Sequence, residues 1–289
     1  MKRTILFLTY LTFSCLCLIG IKDLCQKQTK GFALQKIISQ NSSRKSLPSS
    51  LPQEGLASLR KILSQPYYFL KRGLQCYVFI SEDKQYVLKF FRWKQIESPF
   101  WTHYVPDSWT KNLQERKEFQ KKHDFASYQI AFEELSEETG TVFLHLSKTD
   151  FLHTSLCLFD PLHIRHFIQS DDVEFIVQKK ADLFLPYFEE HKNSKEELRS
   201  FLSHLVTLLQ KRAERRICDS DISFEYNMGV LEGKPILFDI GNLTKTTTSP
   251  SLHEFIQQES KLLFPWLKNN DPELAVFLEN KIEEIGKMP

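Results

Sequence analysis

The chain is poor in glycine, with nine in 289 residues. No G-x-G-x-x-G run is present, which excludes a glycine-rich loop of the kind that lets backbone close over phosphates. Cysteine is also sparse in pattern. Of six cysteines, Cys15 and Cys17 lie in an apolar stretch, and Cys25, Cys76, Cys157 and Cys218 show neither paired spacing nor a metal motif. Free thiols are expected, not a disulfide framework or a zinc site. A net charge of +2 leaves no global footprint for nucleic acid, and none is expected as a partner. No internal repeat is visible. His163 and His166 have ligand-like spacing without a third ligand nearby, so both are expected on a surface or a strand. What remains, 42% apolar and 26% charged residues, is the composition of a globular chain long enough for one two-lobed domain.

Only one long apolar run occurs. Lys2 and Arg3 precede Ile5 to Ile21, which carries no charge and is about the minimum length that spans a bilayer. Residues 1–22 are therefore expected to be a membrane anchor or signal segment. An uncleaved single-pass anchor is favoured, because no small-x-small site precedes Lys22, with export after signal cleavage as the alternative. Lys22, Lys27 and Lys30 offset Lys2 and Arg3, so the positive-inside rule does not orient the segment. Residues 23–55 read as a polar linker, rich in Ser, Gln and Pro from Ser39 to Glu54.

The most informative stretch is Ile217 to Gly241, ICDSDISFEYNMGVLEGKPILFDIG. Asp221 follows a long helical pattern and Asn227 follows on a loop. Two apolar runs, Met228 to Leu231 and Pro235 to Phe238, flank a Glu232-Gly233-Lys234 turn, and Asp239 closes the second. An acid, an amide, a hairpin and a second acid supply the hard oxygen groups that position an acceptor and hold Mg²⁺ in phosphoryl transfer. Each signal alone is ordinary turn chemistry. Their order and spacing carry the reading.

That segment resembles the protein kinase-like superfamily, with its H-R-D-x-x-x-x-N catalytic loop and D-F-G metal loop. Asp239-Ile240-Gly241 stands for D-F-G. Asp221 to Asn227 is similar to the D-L-S-E-Y-N loop of the RIO kinases, with one residue more between Asp and Asn and no His or Arg just before the Asp. The resemblance implies that Asp221 is the base, with Asp219 as the competing position. It also implies that Asn227 and Asp239 are metal ligands.

A member of that superfamily has a small lobe with a lysine on its third strand. Tyr67 to Lys71, Gln75 to Ser81 and Gln85 to Arg92 read as three strands, with turns at Arg72-Gly73 and Glu82-Asp83-Lys84. The third holds Val87-Leu88-Lys89-Phe90-Phe91, similar to V-A-I-K, which makes Lys89 the nucleotide lysine. Gly73 is the lone glycine available to cover phosphates. A helix over Asn112 to Glu138, stopped by Thr139-Gly140, would present an acid to Lys89; Glu133 is favoured, with Glu134 and Gln129 as the other registers. Thr141 to Leu146, Ser155 to Phe159 and Glu174 to Val177 read as strands, and Gln178 to Asp182 as a hinge between lobes.

Asp182 to His191 reads as a short helix and Ser194 to Arg216 as a long one, with Leu198, Phe201, Leu202, Leu205, Leu208 and Leu209 on one core-facing stripe. Its basic end, KRAERR, suits the helix dipole. After Gly241, a Thr/Ser-rich loop over Asn242 to Pro250 precedes apolar patterns at Leu252 to Trp266 and Pro272 to Ile285. The expected architecture is α+β and two-lobed, kinase-like, with residues 56–180 and 181–289 as the lobes behind an N-terminal transmembrane or signal helix. The function implied is a membrane-tethered phosphotransferase using ATP and Mg²⁺ on a small-molecule or protein hydroxyl, its domain cytoplasmic if ATP-dependent. The alternative is a pseudokinase or anchored interaction protein without turnover.

Overall fold

The computed structural model describes residues 2–38, 44–45, 53–92, 104–221, 223–247 and 251–286, which form a mixed α+β chain. Residues 39–43 and 46–52 of the expected polar linker, and the end of the Thr/Ser-rich loop at 248–250, lie outside the described residues. The chain divides into two compact units. The first comprises Met1–Lys84, Leu88–Gln95 and Ser147–Phe175; the second comprises Gln85–Val87, Ile96–Leu146 and Ile176–Pro289.

The first unit starts with helix α1, Lys2–Gln28, and α2, Gln53–Leu63. Leu56, Leu59 and Leu63 of α2 are buried, the spacing that puts apolar residues on one helical face. Three strands follow: β1, Pro66–Arg72; β2, Cys76–Ser81; and β3, Tyr86–Phe91, whose last four residues belong to this unit. The second unit next contributes helix α3, Asp107–Glu133, a short α4, Ser136–Thr139, and strand β4, Thr141–His145. The helix expected over Asn112 to Glu138 thus breaks after Glu133, and Gly140, at φ +63°, ends α4 in the left-handed conformation that glycine tolerates.

Back in the first unit, β5, Ser155–Phe159, and β6, Arg165–Gln169, continue the pairing of this unit's strands in the order β3-β2-β1-β5-β6. β1 runs antiparallel to β2 and parallel to β5. Its core is aromatic. Phe32 packs edge-on against Tyr77 and Phe79, and the Tyr77 hydroxyl donates to the Gly31 carbonyl at 2.7 Å. β6 was read from the sequence only as the place of His166. That ring nitrogen lies 2.9 Å from Asp160, and no metal cluster of His, Cys, Asp or Glu occurs among the described residues.

The rest of the second unit begins with β7, Phe175–Lys179, whose last four residues belong to it, then β8, Asp182–Leu183, and α5, Phe184–His191. Helix α6, Lys195–Glu214, buries the expected leucine stripe. Then come β9, Ile217–Asp219, a one-turn α7, Phe224–Asn227, and the hairpin β10, Met228–Leu231, with β11, Lys234–Leu237. Strand β12, Leu243–Lys245, pairs antiparallel with β9, and β8-β10-β11 form a second small sheet. Helices α8, Leu252–Glu259, α9, Leu263–Asn270, and α10, Pro272–Gly286, close the unit against α6. Phe255, Ile256, Leu267, Leu278 and Ile282 share one buried apolar cluster with Leu202, Leu205 and Leu209 there.

The single-pass anchor is corrected by α1. Among the described residues no helix is long and apolar enough to cross a membrane. Lys22, Asp23 and Lys27 fall inside the same helix as the apolar run, and charge within a span is costly in hydrocarbon.

Candidate functional site

The hairpin β10–β11 turns through Glu232 and Gly233, both at positive φ, as a two-residue connection between twisted strands demands. Gly229 fits β10 only because it has no side chain. A Cβ there would stand 2.8 Å from Ala181 Cβ and 2.9 Å from the Asp182 carbonyl. The hairpin therefore lies tight against β8, and its two open ends bring Asn227 and Asp239 together. The Asn227 carbonyl accepts the amide of Phe238 at 3.0 Å and that of Asp239 at 3.5 Å.

Asn227 is buried and its side-chain nitrogen donates to the Asp221 carbonyl at 2.7 Å. With the donor end tied, the amide oxygen is the group left to act as an acceptor or ligand. Asp221 is exposed, as is Asp239. The amide of Asp221 donates to the Asp219 carboxylate at 2.9 Å. One segment thus gathers Asp219, Asp221, Asn227 and Asp239.

Beneath it lies a charged layer absent from the sequence reading. Arg212 near the end of α6 is 2% exposed and bonds Glu259 of α8 at 2.8 Å. Burial raises the Glu259 carboxyl above its ordinary range although Arg212 opposes the shift. Burial likewise pushes Asp219 up to about 6 against the Asp221 amide and the nearby Arg212 charge. Arg212, Asp219, Asn227, Glu259 and Ser260 line a cavity of about 30 Å³, room for about two waters. The KRAERR run had been explained by the helix dipole alone; Leu205 and Leu209 place Arg212 on the buried stripe by periodicity, and that was the available signal.

The other predicted residues divide between the units. Lys89 is half-buried on β3 between Leu88 and Phe90, both fully buried, in the first unit. Gly73 belongs to the same unit, in the β1–β2 turn. Its amide donates to the Cys76 carbonyl at 2.8 Å, while Arg92 donates to the Gly73 and Leu74 carbonyls at 2.8 and 2.7 Å. Glu133 is exposed at the end of α3 in the second unit, and Gln129 is exposed as well. The buried acid of α3 is Asp124, raised by burial although Gln120 donates to it at 2.6 Å.

The second unit also holds a cleft of about 560 Å³, lined among others by Glu137, Glu138, Lys179, His204, Lys211 and Lys234. None of the predicted site residues lines it.

No family model matches the chain. No curated protein matches it. The solved structures it resembles include a 2.2 Å crystal structure of WbdD, at 15% identity over 76% of this chain and 46% of that one, with a TM-score of 0.38. Another is the bifunctional kinase-methyltransferase WbdD, at 17% identity over 74% and 43%, with a TM-score of 0.35. A third, WbdD with a kinase inhibitor, is 16% identical with a TM-score of 0.36. The chain spans under half the length of these structures. At such scores the likeness adds nothing to the argument from the residues.

Proposed function

We propose that the 217–241 segment is the phosphoryl-transfer site of a kinase-like enzyme that uses ATP and Mg²⁺ on a hydroxyl acceptor. The observation that carries it is the double use of Asn227. Its carbonyl fixes the start of the Asp239 turn and its side chain fixes the Asp221 loop, so an exposed acid, an amide oxygen and a second exposed acid share one rigid hairpin base.

The donor set fits magnesium, which takes one or two protein oxygens and completes its shell with phosphate and water. Asp239 and Asn227 would hold it, and a metal bound there would neutralise charge on the nucleotide phosphates. Asp221, exposed and held by its backbone at both ends, would orient the acceptor hydroxyl and take its proton. Lys89 would pair with the nucleotide phosphates, with Glu133 the acid proposed to orient it and Gly73 the backbone that approaches them. The acceptor is a small molecule or a protein.

Thermal unfolding of the full chain with ATP, with and without Mg²⁺, tests this beside Lys89→Ala and Asp239→Ala. Ligand at a hundredfold its Kd adds about 2.7 kcal/mol, so a rise in Tm that needs Mg²⁺ and is lost in both variants is expected. A folded wild type with no shift overturns the reading.

One observation favours binding without turnover as a second reading. The β1–β2 turn is closed on itself by Gly73, Cys76 and Arg92, which leaves the Gly73 amide engaged. A Mg²⁺-dependent shift with no ADP formed over a panel of hydroxyl acceptors would select it.

A further inference from the structure

Between Asp239 and β12 the chain makes a turn, Asp239 to Leu243, that belongs to no helix or strand until Leu243. Buried backbone groups in such a turn need partners. The Asp239 amide has the Asn227 carbonyl, and the Asn242 carbonyl accepts the Ser220 amide at 3.2 Å. The Ile240 carbonyl and the Leu243 amide also lie in this turn, on residues that are each 1% exposed.

A single atom from a distant helix satisfies both. The Ser127 hydroxyl, on α3 and wholly buried, donates to the Ile240 carbonyl at 2.6 Å and accepts the Leu243 amide at 2.6 Å. A hydroxyl carries one donor and two acceptor positions on the same atom, so it closes a turn in a way that no apolar side chain of its size can. A helical serine commonly bonds back to its own helix; this one reaches 113 residues along the chain instead. A second tie lies at the end of α3, where the Glu134 carboxylate meets Lys245 of β12 at 2.7 Å. The turn that carries Asp239 is therefore held at its base by Asn227 and at its back by α3.

We propose that Ser127 is a positioning residue for the metal-binding turn, fixing the direction of the Asp239 carboxylate through Ile240 and Leu243 and so making metal affinity depend on the seating of α3. The proposal rests on the phosphoryl-transfer reading of Asp239. Loss of the hydroxyl leaves the Ile240 carbonyl and the Leu243 amide unpaired and frees the turn to reorient. Nucleotide contacts made elsewhere are untouched, so the defect falls on the metal.

The experiment titrates Mg²⁺ at fixed ATP, reading Tm of the full chain, for wild type, Ser127→Ala and Thr139→Val. Thr139 is an equally buried hydroxyl of the same unit, bonded to the Leu135 carbonyl at 2.7 Å and remote from the turn in its hydrogen bonds. It serves as the control for lost stability. Ser127→Ala is expected to weaken the apparent Mg²⁺ affinity about tenfold, whereas Thr139→Val lowers the ligand-free Tm and leaves the Mg²⁺ midpoint unchanged. An unchanged midpoint in Ser127→Ala, with wild type responding to Mg²⁺ and ATP, overturns the role of Ser127 alone. Equal shifts in both variants overturn it too, as a mere stability effect. No response in the wild type overturns the phosphoryl-transfer reading, and this inference with it.

Should Ser127→Ala fail to fold, amide exchange at Leu243 in the wild type decides the matter. Mg²⁺ with ATP is expected to slow that exchange by tenfold or more, about the effect of one added hydrogen-bonding free energy. No slowing at Leu243 in a protein that binds the ligand overturns the proposal.

Discussion

Two buried aspartates, one in each unit, have been given opposite environments. Asp171 in the first unit accepts the Thr149 hydroxyl at 2.6 Å and the amides of Phe151, Leu152 and His153 at 3.0, 3.0 and 2.7 Å. Burial alone would raise its carboxyl, yet these donors together outweigh burial and hold it below the ordinary range. Asp219 in the second unit receives the Asp221 amide, stands over Arg212 and Glu259, and is pushed by burial up to about 6. A saturated carboxylate serves as scaffold: Asp171 organises a loop that Arg60 also grips by donating to the Leu152 carbonyl at 2.9 Å. An undersaturated one beside a cavity keeps its charge negotiable. Strongly raised acids concentrate at functional sites for this reason.

The largest expected effect comes from removing the cation under Asp219. Arg212→Met leaves Glu259 and Asp219 buried without their nearest positive charge. Breaking a buried pair from one side costs about 3–5 kcal/mol, read as a lower urea midpoint at pH 7. A loss below about 1 kcal/mol would mean that the layer is solvated, and the contrast between the two aspartates would collapse. Next in size is Asp171→Ala. Several donors lose their acceptor at once, and a loss of about 3 kcal/mol is expected from buried amides left unpaired. Since the folded carboxyl of Asp171 lies below its unfolded value, the stability it contributes is present above pH 4 or so and is lost as pH falls through the folded pKa.

Asp219→Asn should act in the other direction. The folded carboxyl of Asp219 is raised from 3.8 to about 6, so its contribution is fully present below the unfolded pKa and is lost as pH rises through about 6. Asn keeps an oxygen for the Asp221 amide and carries no charge. The variant is expected to match wild type near pH 4 and to exceed it above pH 6 by a margin on the order of 2 kcal/mol. Denaturation across pH 4–8 measures the gap. A gap that is constant with pH would place Asp219 outside the titrating group and remove the physical distinction from Asp171.

This contrast explains what was legible in the sequence. Local patterns placed β1, β2 and β3 within about a residue, because alternating apolar runs between turn residues encode strands directly. The leucine stripe placed α6, and Glu232-Gly233 placed the hairpin that joins Asn227 to Asp239. Asp221, Asn227 and Asp239 could be singled out as candidates because they lie within one short stretch. The partners of these residues were not found. Arg212 with Glu259, Ser127 with Ile240 and Leu243, and Asp171 with Thr149 and the amides after it are contacts defined by the fold, and no local pattern marks a serine on a helix as the closure of a turn 113 residues away. The apolar run at the start misled for a related reason: hydropathy of the run was weighed without Lys22, Asp23 and Lys27, which continue the same helix.

A third aspartate gives the smallest and most discriminating test. Asp160 of the first unit accepts the amides of Leu162 and Ile164 at 2.8 and 2.9 Å and faces the His166 ring at 2.9 Å. Burial would raise its carboxyl, but His166 and the two amides together keep it below the ordinary range. If backbone donors are what separates the scaffold aspartates from Asp219, the ring is dispensable. His166→Gln should then cost only about 0.5 kcal/mol, the usual worth of a partly exposed pair, and acid should still destabilise the variant as pH falls through the folded pKa of Asp160. A cost near 3 kcal/mol in urea denaturation would show that the imidazole, packed against Phe32 at 6.2 Å, holds the loop instead. Backbone saturation would then no longer distinguish the first unit's acids from those of the site.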